Sequence, residues 1–189
     1  DHTTLSRRGR TVDVPSLPRK ADGPIHLVID STGLKIVGGG QWNADKHGVS
    51  RNRRQWRKLH LGIDLGGFVV VSALTDSPED DGCVGVDLLG RLGAPVASFR
   101  ADGAYDTIAF YETAAARGAT VVVPPDKTAQ VSRRRPRSSA RDRTITKMKR
   151  IGRRRWKKEV GYHRQARVEN AFFRYKSIIG GALRARSSA

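Results

Sequence analysis

The sequence predicts a mixed α/β domain, and three observations lead to this prediction. Short β-rich runs come first, two of them around a Gly-Gly pair. Later β-rich runs alternate with segments of helical periodicity, and a densely basic stretch precedes a last helix-like segment. A chain of 189 residues is long enough for one ordinary domain with a buried core. The expected architecture is therefore a mixed sheet flanked by helices.

The first part of the chain predicts a lead-in, a strand, a turn and a second short strand. Residues 1–24 are polar and basic and contain three prolines, which is typical of an extended segment. The apolar run 26–30 predicts a strand, residues 31–33 a turn, and residues 34–37 another short strand. A glycine-rich, basic loop is expected over residues 38–54.

The middle of the chain predicts a hairpin followed by alternating helices and strands. Two β-rich runs, 57–64 and 68–74, flank Gly66-Gly67 and indicate an antiparallel pair with a tight turn. The next elements alternate between helix and strand and are expected over residues 84–92, 96–102, 107–117 and 120–123. We expect Asp106 to cap the second of these helices. This order of elements matches the ribonuclease-H-like plan.

The domain organisation follows from this order. We expect a lead-in over residues 1–24, a ribonuclease-H-like core over 25–132, a basic insertion over 133–160 and a C-terminal helix over 161–189 that completes the core. The chain begins without methionine and stops soon after a helix-like segment. We therefore interpret it as a fragment of a longer protein that has lost an N-terminal region.

The formal net charge of +18 indicates a polyanionic partner. No apolar run approaches the roughly 20 residues of a membrane-spanning helix, so we expect no membrane partner. Cys83 is the only cysteine, which excludes both a disulfide within the chain and zinc sites built from paired cysteines. A reducing cytoplasm fits this cysteine content.

Most of the positive charge is concentrated in one stretch. Residues 133–158 contain fourteen Lys and Arg, with Asp142 as the only acid. We expect a mobile or partly helical insertion that is ordered by its partner, because it has few apolar residues to bury. A solvated charged linker is the alternative, but so many like charges favour contact with nucleic acid.

Three acids are candidates for a site that binds a hard cation. Asp30 follows an apolar run and precedes Ser-Thr-Gly, where a turn residue is the alternative interpretation. Asp102 follows the strand-like run 96–101, and Glu169 lies in the last helix-like segment. Carboxylates at strand ends and on a later helix can gather around a divalent ion.

The segment that carries Glu169 shows helical periodicity. Its apolar stripe is expected to be buried and consists of Val168, Phe172, Tyr175 and Ile179. Glu169 lies at the edge of this stripe, and Lys176 follows two turns later on nearly the same face. A surface helix with scattered charges is the alternative.

The same segment contains a specific spacing. Tyr162, Glu169 and Lys176 match the pattern Tyr-x2-Arg-x3-Glu-x6-Lys, with Gln165 at the Arg position and Arg164 beside it. In this pattern the chain resembles bacterial insertion-sequence DDE transposases. Residues 26–35 and 101–107 resemble the blocks around the two Asp residues of that family, and residues 53–61 the basic segment between them. The similarity covers roughly residues 25–186 and is nearest to the insertion-sequence-five group.

The resemblance implies Mg²⁺-dependent cleavage and transfer of DNA strands at the ends of an insertion sequence. Asp30, Asp102 and Glu169 would be the catalytic residues and the ligands of two Mg²⁺ ions, for which Mn²⁺ would substitute. The implied partner is double-stranded DNA, both transposon ends and target, and the full-length protein would be a cytoplasmic, nucleoid-associated homodimer. The implied DNA-contacting residues are Tyr162, Arg164, Lys176, Arg57, Lys58, Arg153, Arg154 and Arg155.

Two other functions remain open from the sequence. A nuclease with the same fold would hydrolyse DNA without strand transfer. An inactive transposase relic, or a DNA-binding protein without catalysis, would keep the basic surface while its acids no longer assemble. The presence of Gln165 at the Arg position of the family pattern favours this last hypothesis.

Overall fold

The fold is organised by one six-stranded mixed sheet. The computed structural model describes residues 23–36, 56–76, 78–133 and 139–183. Most of the predicted lead-in and the whole predicted basic loop over 38–54 lie outside these residues. The strands are β1 (Ile25–Ile36), β2 (Trp56–Ile63), β3 (Val69–Asp76), β4 (Val96–Arg100), β5 (Thr120–Val122) and β6 (Ala182–Leu183).

The sheet has the order β3-β2-β1-β4-β5, and β6 also pairs with β1. β2 is antiparallel to both β1 and β3, whereas β4 and β6 run parallel to β1, and β5 runs parallel to β4. The hairpin predicted around Gly66-Gly67 is confirmed, and Gly67 has the positive φ of 87° that its turn requires. This mixed sheet with flanking helices agrees with the predicted ribonuclease-H-like plan.

Five helices accompany the sheet in the described part of the chain. They are α1 (Asp81–Arg91), α2 (Ile108–Ala116), α3 (Ala140–Ile151), α4 (Arg153–Glu159) and α5 (Ala166–Ile178). Two short 3₁₀ turns, Gly103–Tyr105 and Tyr162–Gln165, precede α2 and α5 respectively. None of the helices in the described ranges is long and apolar enough to cross a membrane.

β1 is longer than the sequence predicted. We expected a turn at residues 31–33, but the strand continues through them to Ile36. The reason is the pairing with β2, whose register runs without interruption from Val28↔Ile63 to Lys35↔Trp56. These ladder hydrogen bonds keep the Ser-Thr-Gly segment extended, although its local composition favours a turn.

The sheet buries a separate apolar cluster on each face. Leu27 and Ile29 of β1 point to one face and pack with residues of α1, α2 and β4. Val28 and Leu34 point to the other face, where Val168 and Phe172 of α5 cover them. Asp30 follows Val28 by two residues, so the alternation of side chains along β1 assigns Asp30 to the α5 face.

The basic stretch packs against the core more closely than we expected. Its described residues form α3 and α4, and the side chains of Ile145 and Trp156 are almost fully buried, with 1% and 2% exposure. Of the two forms that we expected, mobile or partly helical, the described residues of this stretch adopt the helical one. Two large apolar residues suffice to anchor the helices. The sequence argument considered only how few apolar residues the stretch contains, and so it missed this anchoring.

Two acids give the anchoring a polar component. Asp106 does not cap α2; the cap is Thr107, whose hydroxyl accepts a hydrogen bond from the Phe110 N–H. Both carboxylate oxygens of Asp106 instead accept hydrogen bonds from Arg141 of α3, each at 2.9 Å. Asp142, also on α3, is buried and accepts a hydrogen bond from the Ser132 N–H at 2.8 Å.

Candidate active site

Asp30 and Asp102 lie at the same level of two adjacent parallel strands. The register pairs Val28 of β1 with Arg100 of β4, and each acid follows its paired residue by two positions. β4 ends at Arg100, so Asp102 extends from the end of that strand while Asp30 lies within β1. Neighbouring strands are roughly 4.8 Å apart, which brings the two acids to one edge of the sheet.

Each of the two acids has one oxygen engaged by the backbone. Asp30 Oδ1 accepts a hydrogen bond from the Ser31 N–H at 2.8 Å, and Asp102 Oδ1 accepts one from the Ala104 N–H at 2.9 Å. Among the residues that the structure describes, no hydrogen bond is made to either Oδ2 atom. Both carboxyl groups are therefore oriented by the chain and retain an oxygen for a ligand.

Burial and neighbouring charge act together on the acids. Burial raises the pKa of Asp30 to about 6, against the hydrogen bond from Ser31, and the charges of Asp102 and Glu169 raise it further. The pKa of Asp102 is likewise raised, first by burial. An acid that is half-buried among other acids favours a proton or a cation as its partner.

Tyr162 lies within electrostatic reach of all three acids. Burial raises the pKa of its hydroxyl to about 12, and the negative charges of Asp102, Asp30 and Glu169 act in the same direction. Glu169 itself is exposed in the first turn of α5. The 3₁₀ turn of Tyr162 thus connects the helix that carries Glu169 with the strands that carry the two Asp residues.

Side chains from the α5 region line the free edge of β1. On its β4 side, β1 pairs with β4 only up to Val28 and with β6 only from Lys35. Between these points the buried Gln165 donates through Nε2 to the Ile29 carbonyl at 3.0 Å. Further along, Lys176 Nζ donates to Thr32 Oγ1 at 2.7 Å. Lys176 and Gln165 therefore occupy the interval where a neighbouring strand is missing.

A buried arginine connects β4 with the same turn. Arg100 is 8% exposed and donates from one NH group to the carbonyls of Val160 and Gly161, at 2.9 and 3.4 Å. Burial, and secondarily the charge of Arg164, lowers its pKa. Arg100 was not predicted as a site residue, because its importance arises from contacts sixty residues away in sequence.

On the opposite face, a polar network lies behind the acids. The fully buried His60 is 3.0 Å from Thr75 Oγ1, 3.4 Å from the Tyr105 hydroxyl and 3.8 Å from Asp81. Burial lowers the pKa of His60, which favours the neutral ring. Sequence reasoning missed this network, because the alternation of Leu59, Leu61 and Ile63 puts His60 on the same side of the strand as the charged Lys58.

The predicted DNA-contacting residues divide into two groups. Arg57 pairs with Asp76 at 2.6 Å and Lys58 with Asp81 at 3.0 Å, while Arg155 bonds Glu159 at 3.3 Å. Arg153 donates to the Pro125 carbonyl at 2.8 Å. Arg154 and Arg164 are exposed, and their side chains make no hydrogen bond or ion pair within the described ranges.

The apolar stripe of α5 is only partly as predicted. Val168 and Phe172 are buried and Tyr175 is half-buried, but Ile179 is 67% exposed. Ile179 still has a helical backbone as the C-cap of α5, but the apolar cluster on this face of the sheet includes residues of α5 only as far as Tyr175.

The donor set of the site suits a hard cation, but the three acids do not form one compact cluster. Within residues 23–36, 56–76, 78–133 and 139–183, no group of three His, Cys, Asp or Glu side chains is arranged to hold a metal ion. We expected Asp30, Asp102 and Glu169 to bind metal together. In the structure they influence one another and Tyr162 electrostatically but are not arranged as one metal site. Mg²⁺ nevertheless usually takes only one or two carboxylates and completes its shell with water and substrate phosphates.

Comparison with protein families gives an independent result for this chain. A family model described as a transposase DDE domain matches residues 21–189. A second model with the same description matches residues 1–39. The first match spans all six strands and all five helices described above.

Proposed function

This chain belongs to the transposase DDE domain family, and on that premise we propose that it catalyses metal-dependent cleavage and transfer of DNA strands at the ends of an insertion sequence. Asp30, Asp102 and Glu169 are the proposed catalytic residues and metal ligands. The observation that supports the proposal is the parallel register Val28↔Arg100, two positions before each Asp, together with the charge of Glu169, which raises the pKa of Asp30.

The chemistry of the donors supports Mg²⁺, with Mn²⁺ as a substitute. Asp30 and Asp102 each offer an oxygen that no described group bonds, and carboxylate oxygens are the ligands that Mg²⁺ prefers. When bound, such an ion would polarise the phosphodiester and lower the pKa of the attacking water or DNA 3′-hydroxyl.

The chain's own residues have separate roles in this proposal. The Ser31 and Ala104 N–H groups fix the two Asp carboxyl groups. Lys176 and Arg164 offer positive charge to DNA phosphates on either side of Glu169. Tyr162 has a supporting role: burial raises the pKa of its hydroxyl to about 12, so the hydroxyl is protonated at neutral pH and can donate a hydrogen bond to DNA. Arg57, Lys58, Arg153 and Arg155 must exchange their present partners to contact DNA.

The test of the proposed function is a cleavage assay on a duplex that carries the terminal sequences of the element, in Mg²⁺. We expect Asp30→Asn, Asp102→Asn and Glu169→Gln each to lower cleavage by at least about 100-fold, while DNA affinity stays near that of the wild type. Asp87→Asn, which removes an exposed acid of α1 paired with Arg91, is the matched control. Retention of cleavage by Asp102→Asn would show that the acids are wrongly assigned.

An inactive DNA-binding relic is the second candidate function, because the described acids form no three-ligand cluster. Calorimetric titration with Mg²⁺ or Mn²⁺ separates the two, since a relic gives no binding heat that depends on Asp30 or Asp102. A nuclease without strand transfer is distinguished by offering a cleaved end and a target duplex and measuring joined product. The proposed homodimer on DNA and the proposed nucleoid location rest on the family alone, and light scattering with and without DNA tests the former.

A further inference from the structure

The two basic helices carry positive charges of two kinds. Some are paired with acids within the chain: Arg141 with Asp106, and both Lys147 and Arg155 with Glu159. Others are exposed, and their side chains have no ion pair or hydrogen bond within the described ranges; these are Lys149, Arg150, Arg154 and Lys158. Since two acids are shared among three cations and four neighbouring cations are exposed, the helices retain a local positive field.

Two of the unpaired cations, Arg154 and Lys158, line an open cleft at the junction of α3 and α4. The cleft has a volume of about 620 Å³ and is lined by Ile151, Gly152, Arg153, Arg154, Arg155 and Lys158. Arg154 and Lys158 are four residues apart on α4, so they project from one face about 6 Å apart along the helix axis. The lining contains four cationic residues and no acidic one.

The composition of the lining identifies the ligand class. Aromatic side chains are absent from the residues that line the cleft, so it offers no platform on which an unpaired base would stack. It also lacks the amide side chains that read base edges in pairs. Cations alone recognise phosphate charge, which is the part of DNA that is independent of sequence.

The position of the cleft connects it to the candidate active site. Lys157 of α4 lies over the ring of Tyr162, with Nζ 4.6 Å from the ring centroid. The charges of Asp30, Asp102 and Glu169 act on the same tyrosine. Arg153 fixes the start of α4 to the Pro125 carbonyl after β5. The basic helices are thus held next to the acids and not on a separate lobe.

We propose that the cleft between α3 and α4 is a binding site for the phosphate backbone of duplex DNA, in which Arg154 and Lys158 are the principal contacts and Arg150 and Lys149 extend the track. The proposal deepens the proposed function, since it assigns a sequence-independent hold on the substrate beside the acids. It also distinguishes the cations without an internal partner from Arg153 and Arg155, which line the same cleft but are engaged with the Pro125 carbonyl and with Glu159.

The experiment measures binding of the 189-residue chain to a dye-labelled duplex without terminal sequences, by fluorescence anisotropy in EDTA. Affinity is followed from about 50 to about 200 mM salt for the wild type, Arg154→Gln, Lys158→Gln and the double variant. Arg91→Gln is the control with the same charge change, because Arg91 is exposed on α1 and pairs with Asp87. Melting temperatures verify that each variant is folded.

We expect each single variant to make the slope of log affinity against log salt shallower by about 0.9, and the double variant by about twice that. Over this salt range, each removed contact reduces the salt-induced loss of affinity by roughly threefold. Arg91→Gln should follow the wild type. A double variant with the wild-type slope, or an equal change in Arg91→Gln, overturns the cleft as the binding site.

The measurement is independent of the proposed chemistry because it contains no metal. If Asp102→Asn retains cleavage while Arg154→Gln flattens the salt dependence, the assignment of the acids fails and the cleft remains. If the double variant instead loses affinity only for single-stranded DNA, the assignment to duplex backbone is wrong.

Discussion

The two halves of β1 differ in strand pairing and in burial, although the strand is continuous. In the first half, residues 25–29, strands pair on one or both sides and four of the five side chains are buried. In the second half, residues 30–36, β2 continues on one side, but β6 appears on the other only at Lys35. On that open side, Gln165 bonds the carbonyl of Ile29, the last residue of the first half, and Lys176 bonds the hydroxyl of Thr32.

This difference shows how a stable sheet accommodates a polar site. The buried half supplies apolar contacts that fix the strand in space. The open half keeps its backbone straight by pairing with β2 alone, and therefore leaves Asp30 and Thr32 accessible from the other side. Stability and proposed function are thus divided along the strand, and substitutions in the two halves should have different consequences.

The largest effect on stability is expected in the buried half. Leu27→Ala removes a fully buried side chain from the cluster with α1 and α2, and should lower the free energy of unfolding by about 2 to 5 kcal/mol. Urea denaturation followed by circular dichroism measures it. A loss below about 1 kcal/mol would mean that this half does not carry the fold.

A smaller loss is expected where a side chain substitutes for a strand. Gln165→Glu removes the donor to the Ile29 carbonyl and puts a carboxylate in a buried position, so unfolding should become easier by about 1 to 3 kcal/mol. Gln165→Met, which removes donor and acceptor together, should cost less, because Gln165 Oε1 itself has no partner among the described residues. If both variants unfold like the wild type, Gln165 does not support β1.

In the open half, one substitution should increase stability. The folded protein holds the Asp30 proton up to about pH 6, above the ordinary value of 3.8, so the metal-free protein loses stability as the pH rises between these values. Asp30→Asn removes that penalty and should raise the free energy of unfolding at pH 8 by about 1 to 2 kcal/mol, after allowance for solvent screening.

The same variant should behave oppositely when a divalent ion is present. Mg²⁺ should raise the melting temperature of the wild type at pH 8 but leave Asp30→Asn unchanged, because the amide cannot supply the charged ligand. An unfolding free energy of Asp30→Asn that equals the wild-type value at pH 8 and at pH 4 contradicts the raised pKa.

The smallest effect on stability is expected for Lys176→Met. Its contact with Thr32 is exposed, so the free energy of unfolding should change by less than about 1 kcal/mol. DNA affinity should nevertheless decrease, and its salt dependence should become shallower by about one phosphate contact. Anisotropy with the same duplex measures both, and an unchanged salt slope would remove Lys176 from the proposed DNA contacts.

Local patterns predicted the parts of the fold that local interactions determine. The Gly66-Gly67 hairpin, α1 and α2 follow from turn chemistry and periodicity within a few residues, and all three are confirmed. The continuity of β1 through Gly33 was not predictable in this way, because it depends on pairing with β2. The prediction that Asp106 caps α2 was wrong for the same reason, since its partner Arg141 is 35 residues away.

The candidate site was predictable to a similar extent. Strand-end positions pointed to Asp30 and Asp102; in the structure Asp30 lies within β1, and Asp102 follows the end of the adjacent strand β4. From the sequence, Gln165 was only a residue that does not match the family pattern. Its hydrogen bond to Ile29, 136 residues away in sequence, gives it a structural role. Arg100 and His60 left almost no trace in the sequence, because burial of a charged or polar residue depends on the assembled core.

The ion pair between Asp106 and Arg141 makes the basic helices and the loop after Asp102 mechanically continuous. The Asp106 side chain is only 3% exposed, and separating a buried pair of this kind leaves an uncompensated charge that costs about 3 to 5 kcal/mol. A pull on α3 is therefore transmitted to the segment four residues beyond Asp102 before the pair breaks. If DNA is bound on those helices, a force on the DNA would therefore displace Asp102 together with α3, because the ion pair joins the two segments.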